Sequence, residues 1–202
     1  MIDLKKQQFL DKLDTPEGKA AMEGVKAILK LIGENPEREG LINTPKRVAK
    51  SFLELCEGLT QDPYEILGTT FKEGISYDEI VLVRNVPFTS LCEHHLLTFR
   101  GLASIAYLPN PTIGVVGLSK LARLLDVYAR RPQVQERLTV QIADAIEEVL
   151  KPVGTAVRIT SEHSCMSCRG VQKHGADMVT QVLRGAFRDN PETRQEFSDM
   201  LH

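Results

Sequence analysis

The stretch IVLVRNVPFTSLCEHHLLTFRGLASIAYL, residues 80–108, decides the fold and also points to a site. Its apolar and β-branched residues predict one β-strand up to Pro87 and a second strand at 98–108. Between the strands lies CEHH at 92–95, which places a thiol, a carboxylate and two imidazoles in successive positions. We expect the first strand to break into a loop after Pro87, so that CEHH lies in the connection.

The segments that follow complete the sheet and add helices. Their predicted order is a helix at 118–128, a helix from Pro132 to just before Pro152, strands at 155–163 and 178–187, and a helix after Asn190-Pro191. The order β-β-α-α-β-β predicts an α+β fold, with an antiparallel sheet covered by helices on one face. Such a sheet leaves a second face and two edges uncovered, so we expect the chain to associate with copies of itself.

The first part of the chain predicts helices only. Apolar residues at helical spacing predict a helix at 17–32. Thr44-Pro45 predicts the start of another, with the threonine as N-cap and the proline as first helical residue. We therefore divide the chain into an N-terminal helical arm, residues 1–75, and a sheet-containing domain, residues 76–202.

Charge and composition exclude several classes of protein. The formal net charge is −2, whereas a protein that coats nucleic acid needs a strongly basic face. No apolar run is long enough to cross a bilayer, and the N-terminal residues lack the apolar run of a signal peptide. We expect a cytoplasmic globular protein with no nucleic-acid or membrane partner. Its four cysteines are then thiols or metal ligands rather than disulfides.

A second cluster of metal-competent residues lies at 163–168, far along the chain from CEHH. Cys92 and His95 have the C-x-x-H spacing from which a thiolate and an imidazole converge on one zinc ion. His163 and Cys165 are two apart, so on a strand they would point to the same face. Only a folded chain can bring the two clusters together at one metal ion.

Two kinds of zinc site fit these clusters. The open one has three protein ligands, Cys92, His95 and Cys165, and the closed Cys3His one adds Cys168. An open site keeps a position for water and lowers the pKa of that water. The unligated His94 and His163 would then form a proton-transfer pair near neutral pH. The spacing of the residues leaves both interpretations open.

Positively charged side chains lie at two predicted helix N-termini, where they oppose the helix macrodipole. They are either ordinary solvated residues or, together with an arginine beside the second cluster, a group that binds an anion such as a polyphosphate. The residues of this group are Lys46, Arg47, Lys50, Lys120, Arg123 and Arg169.

Glu136 admits two interpretations as well. It is either an ordinary exposed acid in the first turn of a helix, or a carboxylate that recognises a base. A carboxylate accepts hydrogen bonds from two N–H donors at once. Guanine offers such a pair at N1 and N2, and adenine does not.

Five separated motifs together resemble the GTP cyclohydrolase I family. They are TPKRVAK at 44–50, CEHH at 92–95, GLSK at 117–120, RPQVQERLT at 131–139 and the H-x-C…RG run at 163–170. The resemblance extends in order over residues 17–200. It implies the tunnelling fold, with 76–202 as the catalytic domain. In that fold the β-β-α-α-β-β unit builds a β-barrel from several subunits, usually as a homodecamer with active sites at subunit interfaces.

The resemblance also implies a role for each matching residue. The zinc ligands would be Cys92, His95 and Cys165, with Cys168 outside the metal site. Proton transfer would fall to His94 and His163, and the guanine edge would be held by Gln135 and Glu136. Triphosphate would be bound by Ser119, Lys120, Arg123 and Arg169, joined by Arg47 and Lys50 from a neighbouring subunit.

The implied reaction is the zinc-dependent hydrolysis of GTP at C8. The ring opens, C8 leaves as formate, and the ribose rearranges and closes to give 7,8-dihydroneopterin triphosphate for tetrahydrofolate or pterin biosynthesis. Two alternatives are a non-catalytic scaffold stabilised by the closed Cys3His site, and another pterin-related enzyme of the same fold. The first predicts no turnover of GTP, and the second has little use for the guanine and triphosphate residues.

Overall fold

The computed structural model describes residues 11–68, 70–71 and 77–202. The chain forms two compact units, Met1–Cys56 and Glu57–His202. The boundary predicted between residues 75 and 76 lies outside the described residues, so that division remains a prediction. No helix in the described ranges is long and apolar enough to cross a membrane.

The first unit contains the helices α1 (Pro16–Leu31) and α2 (Thr44–Leu55). The side chain of Thr15 caps α1 by accepting a hydrogen bond from the Gly18 N–H at 3.2 Å. The helix predicted at 17–32 is thus confirmed. At α2 the N-cap is Asn43 and Thr44 is already helical, so the prediction that Thr44 is the cap is wrong by one residue.

The second unit contains one main sheet and the remaining helices. After a 3₁₀ turn at Glu57–Thr60, its elements are α3 (Pro63–Leu67), β1 (Thr70–Phe71), β2 (Val81–Cys92), β3 (Thr98–Leu108), β4 (Val115–Val116), α4 (Leu118–Ala129), β5 (Pro132–Gln133), α5 (Gln135–Leu150), β6 (Gly154–His163), α6 (Ser164–Ser167), β7 (Met178–Gly185), α7 (Ala186–Asp189) and α8 (Pro191–Met200). The main sheet has the order β5-β2-β3-β6-β7, and β1 pairs with β4 separately. All its ladders are antiparallel except that between β2 and β5. The predicted α+β class and the β-β-α-α-β-β order of the long elements are confirmed.

Two proline positions differ from the prediction. β2 does not end at Pro87 but continues to Cys92. A proline is tolerated there because β5, the second neighbour of β2, pairs only with its last two residues, Leu91 and Cys92. Pro132 does not start a helix either: with Gln133 it forms the short edge strand β5, and α5 begins only at Gln135.

Apolar side chains cover the two faces of the sheet unequally. The main core lies between one face and helices α4 and α5, and it includes Ile105 and Val157 of the sheet. Their neighbours Ala106 and Ala156 point to the opposite face, because side chains alternate along a strand. There they pack with Phe187 and Phe197 of the C-terminal helices. The prediction of helices on one face therefore missed a smaller apolar cluster on the other.

Close approach of β3 and β6 requires a glycine at position 101. Gly101 lies opposite Ser161, and a Cβ atom there would overlap the backbone oxygen of Thr160. We expect Gly101→Ala to lower the free energy of unfolding by about 2 kcal/mol, because the strands must separate. Chemical denaturation followed by circular dichroism measures this.

Gly68→Ala is the matched control. Gly68 has right-handed helical φ and ψ angles, and a Cβ atom there meets only ordinary contacts, the nearest being the Glu65 oxygen at 3.5 Å. We expect a change within about 0.5 kcal/mol. Equal unfolding free energies for the two variants would show that the β3–β6 approach is not tight.

Candidate metal centre

The CEHH sequence forms the tight connection between β2 and β3. Cys92 is the last residue of β2, and its N–H donates to the Leu97 oxygen at 2.8 Å. The Leu96 N–H donates back to the Cys92 oxygen at 2.8 Å, with Leu96 itself at a positive φ of 53°. These bonds close the loop and turn the side chain of His95 back towards the end of the strand.

The second cluster lies where β6 ends. His163 is the last residue of the strand, and Cys165 lies in the short helix α6. The expectation that both residues share the face of one strand is therefore wrong. The helical turn instead brings Cys165 beside Cys92. Burial is the main cause that raises the pKa of the Cys165 thiol, and the hydrogen bond with the Cys92 thiol raises it further.

The two clusters form one candidate metal centre. The ligand atoms of Cys92, His95 and Cys165 all lie within 4.8 Å of one another. Two thiolates and one imidazole are a donor set that zinc favours, and this spacing allows all three to reach one ion. Cys92 is buried, Cys165 half-buried and His95 exposed, so the group is open to solvent on one side.

Cys168 lies apart from this group. It is the exposed residue that follows α6, and the metal-competent group found among the described residues does not include it. This arrangement favours the open, three-ligand interpretation over the closed Cys3His site.

His163 is held by contacts on two sides. Its ring stacks on Phe99, with ring centroids 4.5 Å apart and an angle of 5° between the planes. The two residues are direct partners in the β3–β6 ladder. Its Nε2 atom lies 2.9 Å from Oε1 of Gln135. Burial lowers the pKa of His163, although the negative charge of Glu136 raises it in part, so the neutral ring is favoured.

Gln135, in contrast to its neighbour Glu136, is buried. Its side chain is 1% exposed and bonded to β6 and β7, whereas Glu136 is exposed at the start of α5. The Gln135 oxygen also accepts from Ser161 at 2.6 Å. Neither the burial of Gln135 nor its partners could be inferred from the motif RPQVQERLT, because adjacent helical residues point in different directions.

An ion pair that the sequence did not suggest stabilises the loop that carries Glu93, His94 and His95. Arg137 of α5 donates to both carboxylate oxygens of Glu93, at 2.6 and 3.0 Å, and this bond lowers the pKa of Glu93. The Glu93 N–H also donates to the Gln133 oxygen at 3.0 Å. Both charged residues belong to motifs noted above, but nothing in their spacing signals that they pair.

The predicted anion-binding residues are distributed over several elements. Arg169 contacts the candidate metal centre, with its Nη1 atom 3.2 Å from Nε2 of His95. The other predicted residues of the second unit, Ser119, Lys120 and Arg123, lie in the first two turns of α4. Arg47 and Lys50 lie on α2 in the first unit. There Lys50 pairs with Glu54 at 3.3 Å.

The chain is similar to known proteins over most of its length. A family model described as GTP cyclohydrolase I matches residues 21–202. A relative from Streptococcus mutans named GTP cyclohydrolase 1 is 51% identical over 180 residues, which cover 89% of this chain and 92% of the relative. Proteins of the same name from Thermobifida fusca and Streptomyces coelicolor are 51% and 50% identical, covering 88% and 91% of this chain and 84% and 90% of the relatives.

The three-ligand geometry makes a direct prediction about metal content. We expect Cys165→Ser to lose most of its bound zinc, because serine replaces a thiolate ligand. Cys168→Ser, which changes the neighbouring exposed thiol, should keep about one zinc per chain. Mass spectrometry of metal content in protein purified with zinc and then dialysed provides the measurement. Equal losses in both variants would indicate the closed site.

Proposed function

The chain belongs to the GTP cyclohydrolase I family and is an enzyme with that family's activity, and from this premise we propose how its own residues act. The reaction proposed is the hydrolysis of GTP at C8, with release of formate and rearrangement to 7,8-dihydroneopterin triphosphate. The observation that carries the proposal is the group of Cys92, His95 and Cys165, because three convergent ligands leave one position of a tetrahedral metal site open.

The metal in this proposal is zinc, held by those three residues. When bound, zinc acts as a Lewis acid that makes a water molecule nucleophilic near neutral pH. The chain contributes the rigidity of the site. Cys92 is fixed by two backbone hydrogen bonds of its loop, and the Glu93–Arg137 ion pair holds that loop to α5.

Proton transfer is assigned to His163 and His94. His163 favours its neutral form, which accepts a proton, and it is held in place by Phe99 and Gln135. A ring with fixed orientation loses little entropy when it meets the substrate. His94 is exposed in the metal-binding loop, beside the ring of His95. Together they would exchange protons with the imidazole ring of guanine as it opens.

Guanine recognition is assigned to Glu136. Its carboxylate is exposed at the start of α5, and it follows Gln135, whose side chain contacts His163. A base held by Glu136 would therefore lie near the proposed proton-transfer residue. Two carboxylate oxygens suit the N1–H and N2–H groups of guanine. Gln135 was predicted to share this role, but the hydrogen bonds of its buried amide are already made within the protein. We therefore restrict base recognition to Glu136.

Triphosphate binding is assigned to three basic residues of the second unit and one serine. Arg169 would reach it from the metal group, and Ser119, Lys120 and Arg123 would reach it from the start of α4. Charge-assisted hydrogen bonds from such groups are strong, and guanidinium groups bind phosphate oxygens in pairs. Binding energy from the triphosphate would hold the reacting ring in place.

The last part of the proposal concerns the oligomer that the chain forms. We propose that the second unit adopts the tunnelling fold, that several subunits form a β-barrel, and that the full assembly is a homodecamer. Active sites would then lie at subunit interfaces, with Arg47 and Lys50 supplied by a neighbouring subunit. The enzyme would act in the cytoplasm, at the first step of tetrahydrofolate or pterin biosynthesis.

The proposed reaction predicts two products. Zinc-loaded protein should release formate from GTP and give a fluorescent neopterin after oxidation and dephosphorylation. His163→Ala and His94→Ala should each lower kcat by about a hundredfold or more, because a proton-transfer group is lost, while zinc content is unchanged. Absence of both products with metal-replete protein would refute the reaction. Full activity in either variant would refute that residue's role.

If residues of α4 bind the triphosphate, removing a positive charge from this helix should lower kcat/KM for GTP. We expect Lys120→Met to lower kcat/KM for GTP by about tenfold or more, because a charge-assisted hydrogen bond to phosphate is lost. Lys151→Met, which removes an exposed lysine following α5, is the control and should leave kcat/KM within about twofold. Steady-state kinetics measures both, and equal values for the two variants would contradict the assignment.

A further inference from the structure

The side-chain amide of Gln135 has only one possible orientation in the fold. Its Nε2 atom lies 3.1 Å from the Ile159 backbone oxygen and 3.0 Å from the Met178 backbone oxygen. Backbone oxygens can only accept hydrogen bonds, so the end of the amide that faces them must be the NH₂ group. Exchanging the amide's O and N atoms would place an acceptor against two acceptors in a buried site, which is strongly unfavourable.

This orientation fixes which atom faces His163. The amide oxygen Oε1 lies 2.9 Å from Nε2 of His163 and accepts a second bond from the Ser161 hydroxyl at 2.6 Å. An amide oxygen has no proton to donate, so a hydrogen bond between the two residues requires the proton to be on Nε2 of the histidine. In the neutral ring the other nitrogen, Nδ1, is then unprotonated.

The neighbouring side chains also oppose rotation of the His163 ring. The face of the ring lies against Phe99 in a nearly parallel stack. A half-turn of the ring about its bond to Cβ would replace Nε2 by a carbon atom at Gln135. The buried amide oxygen would then lose one of its two partners. Rotation and tautomer change are therefore both opposed by the same hydrogen bond.

We propose that Gln135 is a positioning residue, which holds His163 in the Nε2–H tautomer so that Nδ1 is the nitrogen that exchanges the proton with the substrate. This rests on the proposed function, in which His163 transfers a proton. It also gives Gln135 a role other than binding guanine. The amide's two hydrogens have acceptors in Ile159 and Met178, with Thr180 Oγ1 also at 3.1 Å, and its oxygen has two donors.

The tautomer can be measured without any turnover. Histidine labelled with ¹⁵N in zinc-loaded, sedimented protein is observed by magic-angle-spinning NMR at mildly alkaline pH, where the ring is neutral. The His163 signals are those absent from His163→Ala. We expect a proton on Nε2 and none on Nδ1. A proton on Nδ1 in the wild-type protein would overturn the proposal, and it would leave the proposed reaction untouched.

Two variants separate the hydrogen bond to His163 from the rest of the network. Gln135→Met keeps the length of the side chain but cannot hold the tautomer, so we expect a mixture of Nε2–H and Nδ1–H forms. Ser161→Ala removes the other bond to the same amide oxygen, and the Nε2–H form should persist. A mixture in Ser161→Ala but not in Gln135→Met would overturn the proposal.

Kinetics distinguish positioning from substrate binding. For Gln135→Met we expect kcat to fall by about ten- to a hundredfold, as when a residue that orients a reacting group is lost, with KM for GTP within about threefold of the wild type. A rise in KM at unchanged kcat would instead assign Gln135 to guanine binding. If wild-type protein gave the expected tautomer but no formate, the proposed reaction would fail while the Gln135–His163 geometry stood.

Discussion

The register between β3 and β6 is the constraint on which the site depends. The ladder extends from Phe99 opposite His163 to Leu108 opposite Gly154. Because β3 also pairs with β2, Ser90 and His163 both lie level with Phe99. The same register therefore brings together Cys92, two residues beyond Ser90, and Cys165, two residues beyond His163. A slip by one residue would turn every side chain of β6 to the other face of the sheet. It would separate the two halves of the metal group and break the Phe99–His163 stack.

The sequence predicted the elements that establish this register better than it predicted their ends. The strand at 98–108 is as expected, because most of its residues are apolar and Pro109-Asn110-Pro111 marks its end. Pro87 and Pro132 misled the prediction for one reason. Whether a proline ends a strand or starts a helix depends on which neighbours the backbone has at that point, and neighbours are a property of the sheet.

The candidate metal ligands could be found from the sequence because cysteine and histidine at short spacing are informative by themselves. The number of ligands was not, since C-x-x-C at 165–168 fits a closed site equally well, and only the placement of Cys168 outside the group favours three. The contacts that support the site were also hidden. Gln135 and Glu136 are adjacent in a single motif, yet one is buried under β6 and β7 and the other is exposed.

The central claim is that this protein holds zinc with three of its own residues and leaves a position for water. X-ray absorption at the zinc edge of the metal-loaded protein tests it most directly, because sulfur and lighter ligands scatter differently and zinc–sulfur bonds are longer, about 2.3 Å. The account predicts two sulfur ligands, one imidazole nitrogen and one oxygen. Three sulfur ligands with one nitrogen would contradict it, because Cys168 would then close the site.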